Sequence, residues 1–222
     1  MQRVCLVTGA SRGIEAAIAD ALGEAGATVV GTATTEAGAA AICGRFAAKG
    51  ITGAGMALDV GSATAVDDLV ARVTQQFGAP LVLVNNAGIT QDNIVLRMKD
   101  EEWTRVIDTN LNSIFRLSKA VLRGMTKARW GRIVNISSET GWQSAMPFNG
   151  PYAMSKHAIE AYSDALRREL MFLDIPVIKI QPGPFRTGMV AGIEQNFDRV
   201  TKASKYFKGL LNGLKQATLK EQ

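Results

Sequence analysis

Apolar runs alternate with amphipathic stretches along most of this chain of 222 residues. Several runs, such as Leu81-Val82-Leu83-Val84, are continuously apolar, which is typical of strands buried on both faces of a parallel sheet. The runs predict strands at residues 3–8, 27–33, 54–59, 81–85, 131–137 and 175–181. The stretches between them have the helical period and predict helices near residues 13–25, 36–49, 62–77, 101–127 and 152–172.

This repeated strand–helix order predicts an α/β fold of the doubly wound, Rossmann-like kind. Its mostly parallel sheet carries helices on both faces and forms three layers. We assign residues 1–190 to a dinucleotide-binding reductase domain, and residues 191–222 to a basic amphipathic helical tail that is not an independent domain. Ligands of such folds bind beyond the carboxyl ends of the strands, where the informative polar residues of this chain lie.

The net charge of +5 does not indicate a nucleic-acid-binding protein, because the excess lies in the tail. From Asp198 onward there are six basic and two acidic residues, and the rest of the chain is near neutral. No pattern of interleaved aromatic and basic residues appears elsewhere. The tail has apolar residues at helical spacing, so we expect a lid, partner or packing helix, with membrane-surface binding as a less favoured alternative.

The rest of the composition favours a cytoplasmic protein. The first predicted strand begins at residue 3 and leaves no room for a signal peptide, and no apolar run approaches the about 20 residues of a membrane span. The two cysteines, Cys5 and Cys43, are predicted to be small buried apolar residues, which argues against a disulfide or a metal site.

The first predicted strand runs into a glycine-rich turn with the sequence TGASRGIE at residues 8–15. Glycines at such a junction let the backbone approach a pyrophosphate, which the N-terminus of the next helix binds. The second strand ends without an acid for a ribose 2′-hydroxyl, while Arg12 lies in the turn. The pattern therefore favours NADP over NAD. The alternative is that Arg12 is simply a solvated turn residue.

Tyr152 and Lys156 are four residues apart on a predicted helix, so their side chains share one face. A neighbouring ammonium favours the phenolate and lowers the tyrosine pKa from its ordinary value of about 10. Three other polar residues each keep two interpretations. Asp59 either accepts from an adenine amino group or caps a turn, Ser138 either binds a substrate carbonyl or caps a turn, and Asn85 either contacts a ligand or binds backbone.

Together these motifs resemble the short-chain dehydrogenase/reductase family over roughly residues 3–190. The resemblance rests on Thr8-Gly9-xxx-Gly13, residues 85–88, Asn110, Ser138, Tyr152-xxx-Lys156 and residues 182–187. It implies that Tyr152 gives a proton to a carbonyl oxygen that Ser138 holds, that Lys156 lowers the Tyr152 pKa and binds the nicotinamide ribose, and that Asn110 anchors a water in the proton relay. The implied NADP(H)-binding residues are Gly9, Ser11, Arg12, Gly13, Ile14, Thr34, Asp59, Val60, Asn86, Ala87, Gly88, Tyr152, Lys156, Pro182, Gly183 and Thr187.

Residues 3–136 resemble the branch of this family that reduces 3-oxoacyl thioesters with NADPH in fatty-acid synthesis. In that branch the position of Arg129 contacts the acidic acyl carrier protein. Relatives pair the helices that correspond to 101–127 and 152–172 into a dimer, so we expect a homo-oligomer, with a dimer favoured over a tetramer. Residues 138–222 resemble another branch, and the family's usual last strand is apparently missing. We hypothesise that the chain is a composite of two members, or is truncated.

A further departure is Glu15, which stands where the family has a third glycine. A carboxylate there repels phosphates, so we hypothesise that Glu15 weakens NADPH binding. The leading function is NADPH-dependent reduction of a 3-oxoacyl thioester to a secondary alcohol. The alternatives are a reductase or dehydrogenase of another small carbonyl or alcohol, and a catalytically idle or engineered fold that binds cofactor weakly because of Glu15.

Overall fold

A computed structural model describes residues 3–183, 195, 197–202, 204–206 and 208–220. The strands are β1 (Val4–Val7), β2 (Thr28–Ala33), β3 (Gly53–Ala57), β4 (Pro80–Asn85), β5 (Arg132–Ile136) and β6 (Val177–Ile180). The α-helices whose first and last residues are both described are α1 (Gly13–Glu24), α2 (Glu36–Lys49), α3 (Ala63–Phe77), α4 (Asp100–Ile107), α5 (Ser113–Ala128), α6 (Gly150–Leu170) and α7 (Lys208–Lys220).

The strands form one parallel sheet in the order β3-β2-β1-β4-β5-β6. The predicted doubly wound fold is therefore confirmed. The strand order reverses between β1 and β4, and in such a sheet the carboxyl ends of the strands on either side of this point flank the ligand-binding crevice. β6 is an edge strand of the sheet as far as the described residues show it.

Two apolar cores lie on opposite faces of the sheet. Successive side chains of a strand point to opposite faces, and in β1 Leu6 packs in one core while Cys5 and Val7 pack in the other. The first core includes Leu117 of α5 and the second includes Phe46 of α2. The helices on both faces thus hold the sheet, and with it the carboxyl ends of its strands, in place.

The helix predicted over residues 101–127 is interrupted. A π-helical segment, Asp108–Asn112, separates α4 from α5 and carries the buried side chain of Asn110. The hydrophobic pattern continues through this segment, so it does not reveal the wider turn. Turns of this kind occur frequently at functional sites.

The structure also differs from the expectations for the cysteines and for the tail. Cys5 is buried as predicted, but the prediction for Cys43 was wrong, because this residue is exposed on α2 with its sulfur 3.1 Å from the amide nitrogen of Gly55. The tail has helical residues at 197–202 and a separate helix, α7, where one continuous amphipathic helix was expected.

The tail contacts the body of the protein through Arg199. Its guanidinium donates to the carbonyl oxygen of Asp92 at 3.1 Å and lies 3.8 Å from the Glu102 carboxylate. Among the described residues, no helix is both long and apolar enough to cross a membrane.

Candidate active site

The glycine-rich turn joins the carboxyl end of β1 to the N-terminus of α1. Gly9 and Gly13 both have positive φ angles, 78° and 66°, which favour glycine at these positions. A Cβ atom on Gly9 would lie 3.3 Å from the Ala87 Cα, so the turn lies directly against the segment that follows β4. The side chain of the N-cap residue Arg12 does not cap α1, so N–H groups at the N-terminus of this helix can bind an anion.

Thr8 fixes this contact, although it was not among the predicted site residues. Its hydroxyl oxygen accepts from the amides of Asn86 at 3.1 Å and Ala87 at 3.2 Å, and its hydroxyl donates to the Val84 carbonyl at 3.3 Å. The signal in the sequence was a hydroxyl residue at the end of an apolar strand, directly before the first glycine. The predicted residues 9–14 and 86–88 are thus brought together across the crevice between β1 and β4.

Glu15 lies in the same crevice. A Cβ atom on Gly13 would lie only 3.0 Å from its Oε2 atom, so the carboxylate folds back over the turn. The Asn86 side chain lies close enough to act on the pKa of this carboxyl group, which it lowers. Burial raises the pKa of the Glu15 carboxyl group, and this effect exceeds the opposing effects of its polar neighbours and of the Arg12 and Lys156 charges. The other described residues of the turn fit a dinucleotide, whereas this carboxylate does not.

The Ser138 hydroxyl lies close enough to Tyr152 to act on the pKa of its phenol. Ser138 follows β5, and its Oγ accepts from the Thr140 amide at 3.3 Å and donates to the Thr140 Oγ1 at 3.3 Å, so the hydroxyl caps a turn. Burial raises the pKa of Tyr152, the Ser138 hydroxyl lowers it, and the charges of Asp92 and Glu139 raise it. The net direction is upward, opposite to the lowering expected from Lys156, because burial disfavours the phenolate.

Lys156 is almost completely buried, one helical turn after Tyr152 on α6. Its Nζ donates to the Ile136 carbonyl at 3.0 Å and lies 5.5 Å from the centre of the Tyr152 ring. Burial lowers the pKa of Lys156 to about 8, against the opposing charges of Glu15 and Glu160. This ammonium can therefore exchange protons near neutral pH.

Asn110 connects the segment after β4 to the catalytic helix. Its Oδ1 accepts from the Ile89 amide at 2.8 Å, and its Nδ2 donates to the Ile89 carbonyl at 3.0 Å and to the Ser155 Oγ at 3.1 Å. Ser155 in turn donates to the Tyr152 carbonyl at 2.7 Å. The π-helical segment thus places Asn110 against both partners. Ser155 was not predicted, and its only sequence signal is a position one turn after Tyr152.

The neighbouring Asn85 has a structural role. Its Nδ2 donates to the Asn135 Oδ1 at 2.9 Å, and the Asn135 Nδ2 donates to the Ser163 Oγ at 2.9 Å. These bonds join β4, β5 and α6 below the crevice. Of the two interpretations of Asn85, the structural one is therefore supported.

The other predicted residues surround the crevice. The Asp59 carboxylate accepts from the Gly61 amide at 2.9 Å and so caps a turn, beside the buried Val60. Thr34 is exposed just after β2. The Pro182 carbonyl accepts from the Glu139 amide at 3.1 Å, which places residues 182–183 beside the Ser138 turn. Thr187 lies outside the described residues, as does the rest of the motif from residue 184 to 186.

A cavity of about 520 Å³ lies next to the catalytic helix. Gly150 and Pro151, directly before Tyr152, form part of its wall. Phe148 lines it with a positive φ of 74°, and its carbonyl accepts from the Asn93 amide at 3.1 Å. The apolar lining residues are Ile94, Val95, Met98, Trp103, Met146 and Phe148. Across the described parts of the chain, no group of acidic, histidine and cysteine side chains could hold a metal ion.

The arrangement of a glycine turn, a Ser138–Tyr152 pair and a buried Lys156 agrees with a family model described as short chain dehydrogenase, which matches residues 3–198. The chain belongs to the short-chain dehydrogenase family. The resemblance inferred from the motifs is thus confirmed. Among curated members, the chain is similar to the 3-oxoacyl-[acyl-carrier-protein] reductase FabG of Pseudomonas aeruginosa, with 52% identity over 189 residues, 84% of this chain and 75% of that protein.

The FabG protein of Vibrio cholerae is 44% identical over 201 residues, 90% of this chain and 81% of that protein. Both matches extend beyond residue 137, and neither supports a composite of two family members. Among solved structures, a variant of actinorhodin polyketide ketoreductase with NADPH has a TM-score of 0.84 and 36% identity, covering 90% of this chain and 82% of that one. A metagenomic short-chain oxidoreductase with NADP has a TM-score of 0.78 and 34% identity, covering 83% of each chain.

Proposed function

We propose that this protein uses NADPH to reduce a carbonyl group to a secondary alcohol, with 3-oxoacyl thioesters as its substrates. The observation that carries this proposal is the interaction of the Ser138 hydroxyl with the Tyr152 phenol, whose ring centre lies 5.5 Å from the Nζ of the buried Lys156. Two hydroxyl groups converge there next to an ammonium, which is the arrangement needed to hold a carbonyl oxygen and protonate it.

Each residue has a distinct part in the proton transfer. Bound NADPH supplies the hydride that reaches the carbonyl carbon. Tyr152 stays protonated, since burial raises its pKa, and donates its proton to the oxygen as negative charge develops there. Ser138 donates a hydrogen bond to the same oxygen and so orients it. The Lys156 ammonium stabilises the phenolate left behind and supplies a proton to it, which its pKa of about 8 permits.

Asn110 has a positioning role in this mechanism. It holds the Ile89 backbone and, through Ser155, the start of the catalytic helix. The predicted role of Asn110 in anchoring a relay water remains a proposal.

The residues that would hold NADPH line the crevice between β1 and β4. The turn at Gly9 and Gly13 with the N-terminus of α1 would bind the pyrophosphate, and Arg12 with Thr34 would face the 2′-phosphate. Asn86 and Gly88 would face the nicotinamide half, towards Lys156. The presence of NADP and NADPH in the two related structures supports this choice of cofactor.

The substrate class is supported by the apolar cavity beside Tyr152 and by the reductases to which the chain is similar. We further propose that an acyl carrier protein carries the thioester and contacts this protein through Arg129. Arg129 is exposed at the C-terminus of α5, where a cation also interacts favourably with the helix dipole. A cytoplasmic location fits the free thiols of Cys5 and Cys43.

The loss of NADPH absorbance with an acetoacetyl thioester tests the reaction. We expect turnover by the natural protein, and a fall in kcat of about 10²–10⁴-fold in Tyr152→Phe, because the acid is removed without a change of shape. Tyr162→Phe is the matched control, since Tyr162 lies on the same helix with its hydroxyl bonded to Ser118. No turnover at saturating NADPH, or equal rates for the two variants, would contradict the proposal.

The role of Arg129 is tested by comparing two forms of the substrate. We expect Arg129→Ala to raise KM about tenfold for a thioester on acyl carrier protein and to leave KM for the coenzyme A thioester unchanged, because a surface cation acts mainly on encounter with an acidic partner. Arg123→Ala, on the exposed face of the same helix, is the control. Equal KM changes for both thioesters would show that Arg129 supports the folded structure and does not contact the carrier protein.

A further inference from the structure

The Glu15 carboxylate lies in the part of the crevice that would otherwise bind an anion. It lies over Gly13, at the N-terminus of α1, with its Oε2 at 3.0 Å from the position of a Cβ atom on that glycine. Its own backbone amide and the Asn86 side chain on the opposite wall both favour its ionised form. The carboxylate therefore lies between the two walls that would hold a dinucleotide.

We propose that Glu15 is an internal anion that competes with the cofactor phosphates for the N-terminus of α1, so that NADP(H) binds together with one proton that the Glu15 carboxyl group takes up. The inference rests on the proposed function, because it takes NADP(H) as the ligand of the crevice. It makes Glu15 a residue that sets cofactor affinity and its dependence on pH.

The charges around Glu15 show why protonation and cofactor binding are coupled. From the turn before α1, Arg12 attracts the carboxylate, and from α6 Lys156 does the same. The Asn86 side chain faces it from the segment after β4. A bound pyrophosphate would add negative charge to the same place, and like charges in a partly desolvated site disfavour each other's ionised forms.

The direction of the pH dependence follows from this coupling. Burial already raises the Glu15 pKa in the free protein, and bound phosphates raise it further. Between these two pKa values the complex holds one more proton than the free protein. In that range the dissociation constant rises by up to about tenfold per pH unit. Below the pKa of the free protein, Glu15 is neutral in both states and no longer affects affinity.

Isothermal titration with NADP⁺ tests the proposal without any turnover. Titrations in two buffers of different ionisation enthalpy count the protons taken up, for the natural protein and for Glu15→Gln. Glutamine keeps the shape of the side chain but cannot ionise. The 2′-phosphate of NADP⁺ also titrates, and its contribution cancels in the comparison of the two proteins.

We expect Glu15→Gln to bind NADP⁺ at least about tenfold more tightly at about pH 8 and to take up about one proton fewer per ligand than the natural protein near neutral pH. Glu15→Gly should share the tighter binding, which would show that the charge and not the glutamine matters. Glu101→Gln is the matched control: it removes an exposed carboxylate from the first turn of another helix, α4, and should behave as the natural protein.

Equal affinity and equal proton uptake for Glu15→Gln and the natural protein would overturn the inference while leaving the reductase intact. Tighter binding by Glu15→Gln, without reduction of an acetoacetyl thioester by either protein, would support the inference and refute the proposed function. Failure of every variant to bind NADP⁺ would refute both.

Discussion

Lys156 combines a catalytic position with an energetic cost to the fold. Its side chain is buried, and its hydrogen bond to the Ile136 carbonyl is accompanied by no ion pair within hydrogen-bonding distance among the described residues. The ordinary lysine pKa of 10.5 falls to about 8 as a result. The folded protein therefore holds this proton less tightly than the unfolded chain, a difference of about 3 kcal/mol from the shift alone.

We predict that Lys156→Met abolishes turnover but raises the free energy of unfolding by about 2 kcal/mol at neutral pH, once about 1 kcal/mol is allowed for the lost hydrogen bond. The folded pKa lies below the unfolded one. The stability of the natural protein therefore rises with pH between about 8 and 10.5, and the advantage of the variant shrinks over that range. Urea unfolding at several pH values measures this.

Lys179→Met serves as the contrasting control. Lys179 lies 3.0 Å from Glu160 and 2.9 Å from Asp164, and these partners raise its pKa, so its removal should lower stability at neutral pH. A loss of stability in both variants would show that burial of Lys156 carries no such cost.

At the residue scale, the sequence predicted which residues form the candidate site better than it predicted the environment of each side chain. Ser138, Tyr152, Lys156 and Asn110 come together as the motifs predicted. The pKa direction of Tyr152 could not be predicted, because it depends on how much water its hydroxyl retains. Thr8 and Ser155 were missed because each has a partner that is distant in sequence: the Asn86 amide for Thr8 and the Asn110 side chain for Ser155.

At the scale of elements, the alternation of apolar runs and amphipathic stretches was sufficient to predict the sheet, since both periods are local properties of the chain. The break in the helix at Asp108–Asn112 was not predicted, because one wider turn does not alter the hydrophobic pattern. Its cause is tertiary: Asn110 binds both backbone groups of Ile89. Likewise, the pairing of Asn85 with Asn135 was not predicted, because these residues lie far apart in the sequence and only the sheet places them side by side.

We predict that Asn135→Leu lowers the free energy of unfolding by about 2 kcal/mol, because it removes the partner of the buried Asn85 amide and of Ser163. The double variant Asn85→Leu/Asn135→Leu should lose less than the sum of the single changes, with a coupling of about 1 kcal/mol, since it leaves no unpaired amide at this place. Urea unfolding of the four proteins measures the cycle. Strict additivity would mean that the two amides do not act as a unit.

At the scale of the whole molecule, each of the helices that were predicted to pair between subunits carries an exposed apolar side chain. Trp103 of α4, Phe115 of α5 and Met154 of α6 are all exposed, at 43%, 53% and 42%. Large apolar groups that recur on adjacent helices are typical of a surface that another protein covers. The sequence could indicate these helices only through the family resemblance, because apolar residues of a core and of an interface have the same helical spacing.

We predict that the protein is a homo-oligomer through this surface and that Phe115→Glu dissociates it. A carboxylate buried without a partner costs several kcal/mol, and the change is made once in each subunit of a symmetric interface. Light scattering coupled to size-exclusion chromatography, at about 10 µM protein, should give at least twice the 23.7 kDa of one chain for the natural protein and a single chain's mass for the variant.

Phe172→Glu provides the control for this experiment. Phe172 is even more exposed, at 88%, but it lies in the short 3₁₀ turn Met171–Leu173 after α6 and not on the paired helices. The same change of charge there should leave the mass unchanged. Dissociation by Phe172→Glu but not by Phe115→Glu would move the interface to the β6 edge of the sheet, next to the turn. If the natural protein has the mass of one chain, the predicted homo-oligomer does not form. The exposed face of α4, α5 and α6 would then be covered by another partner.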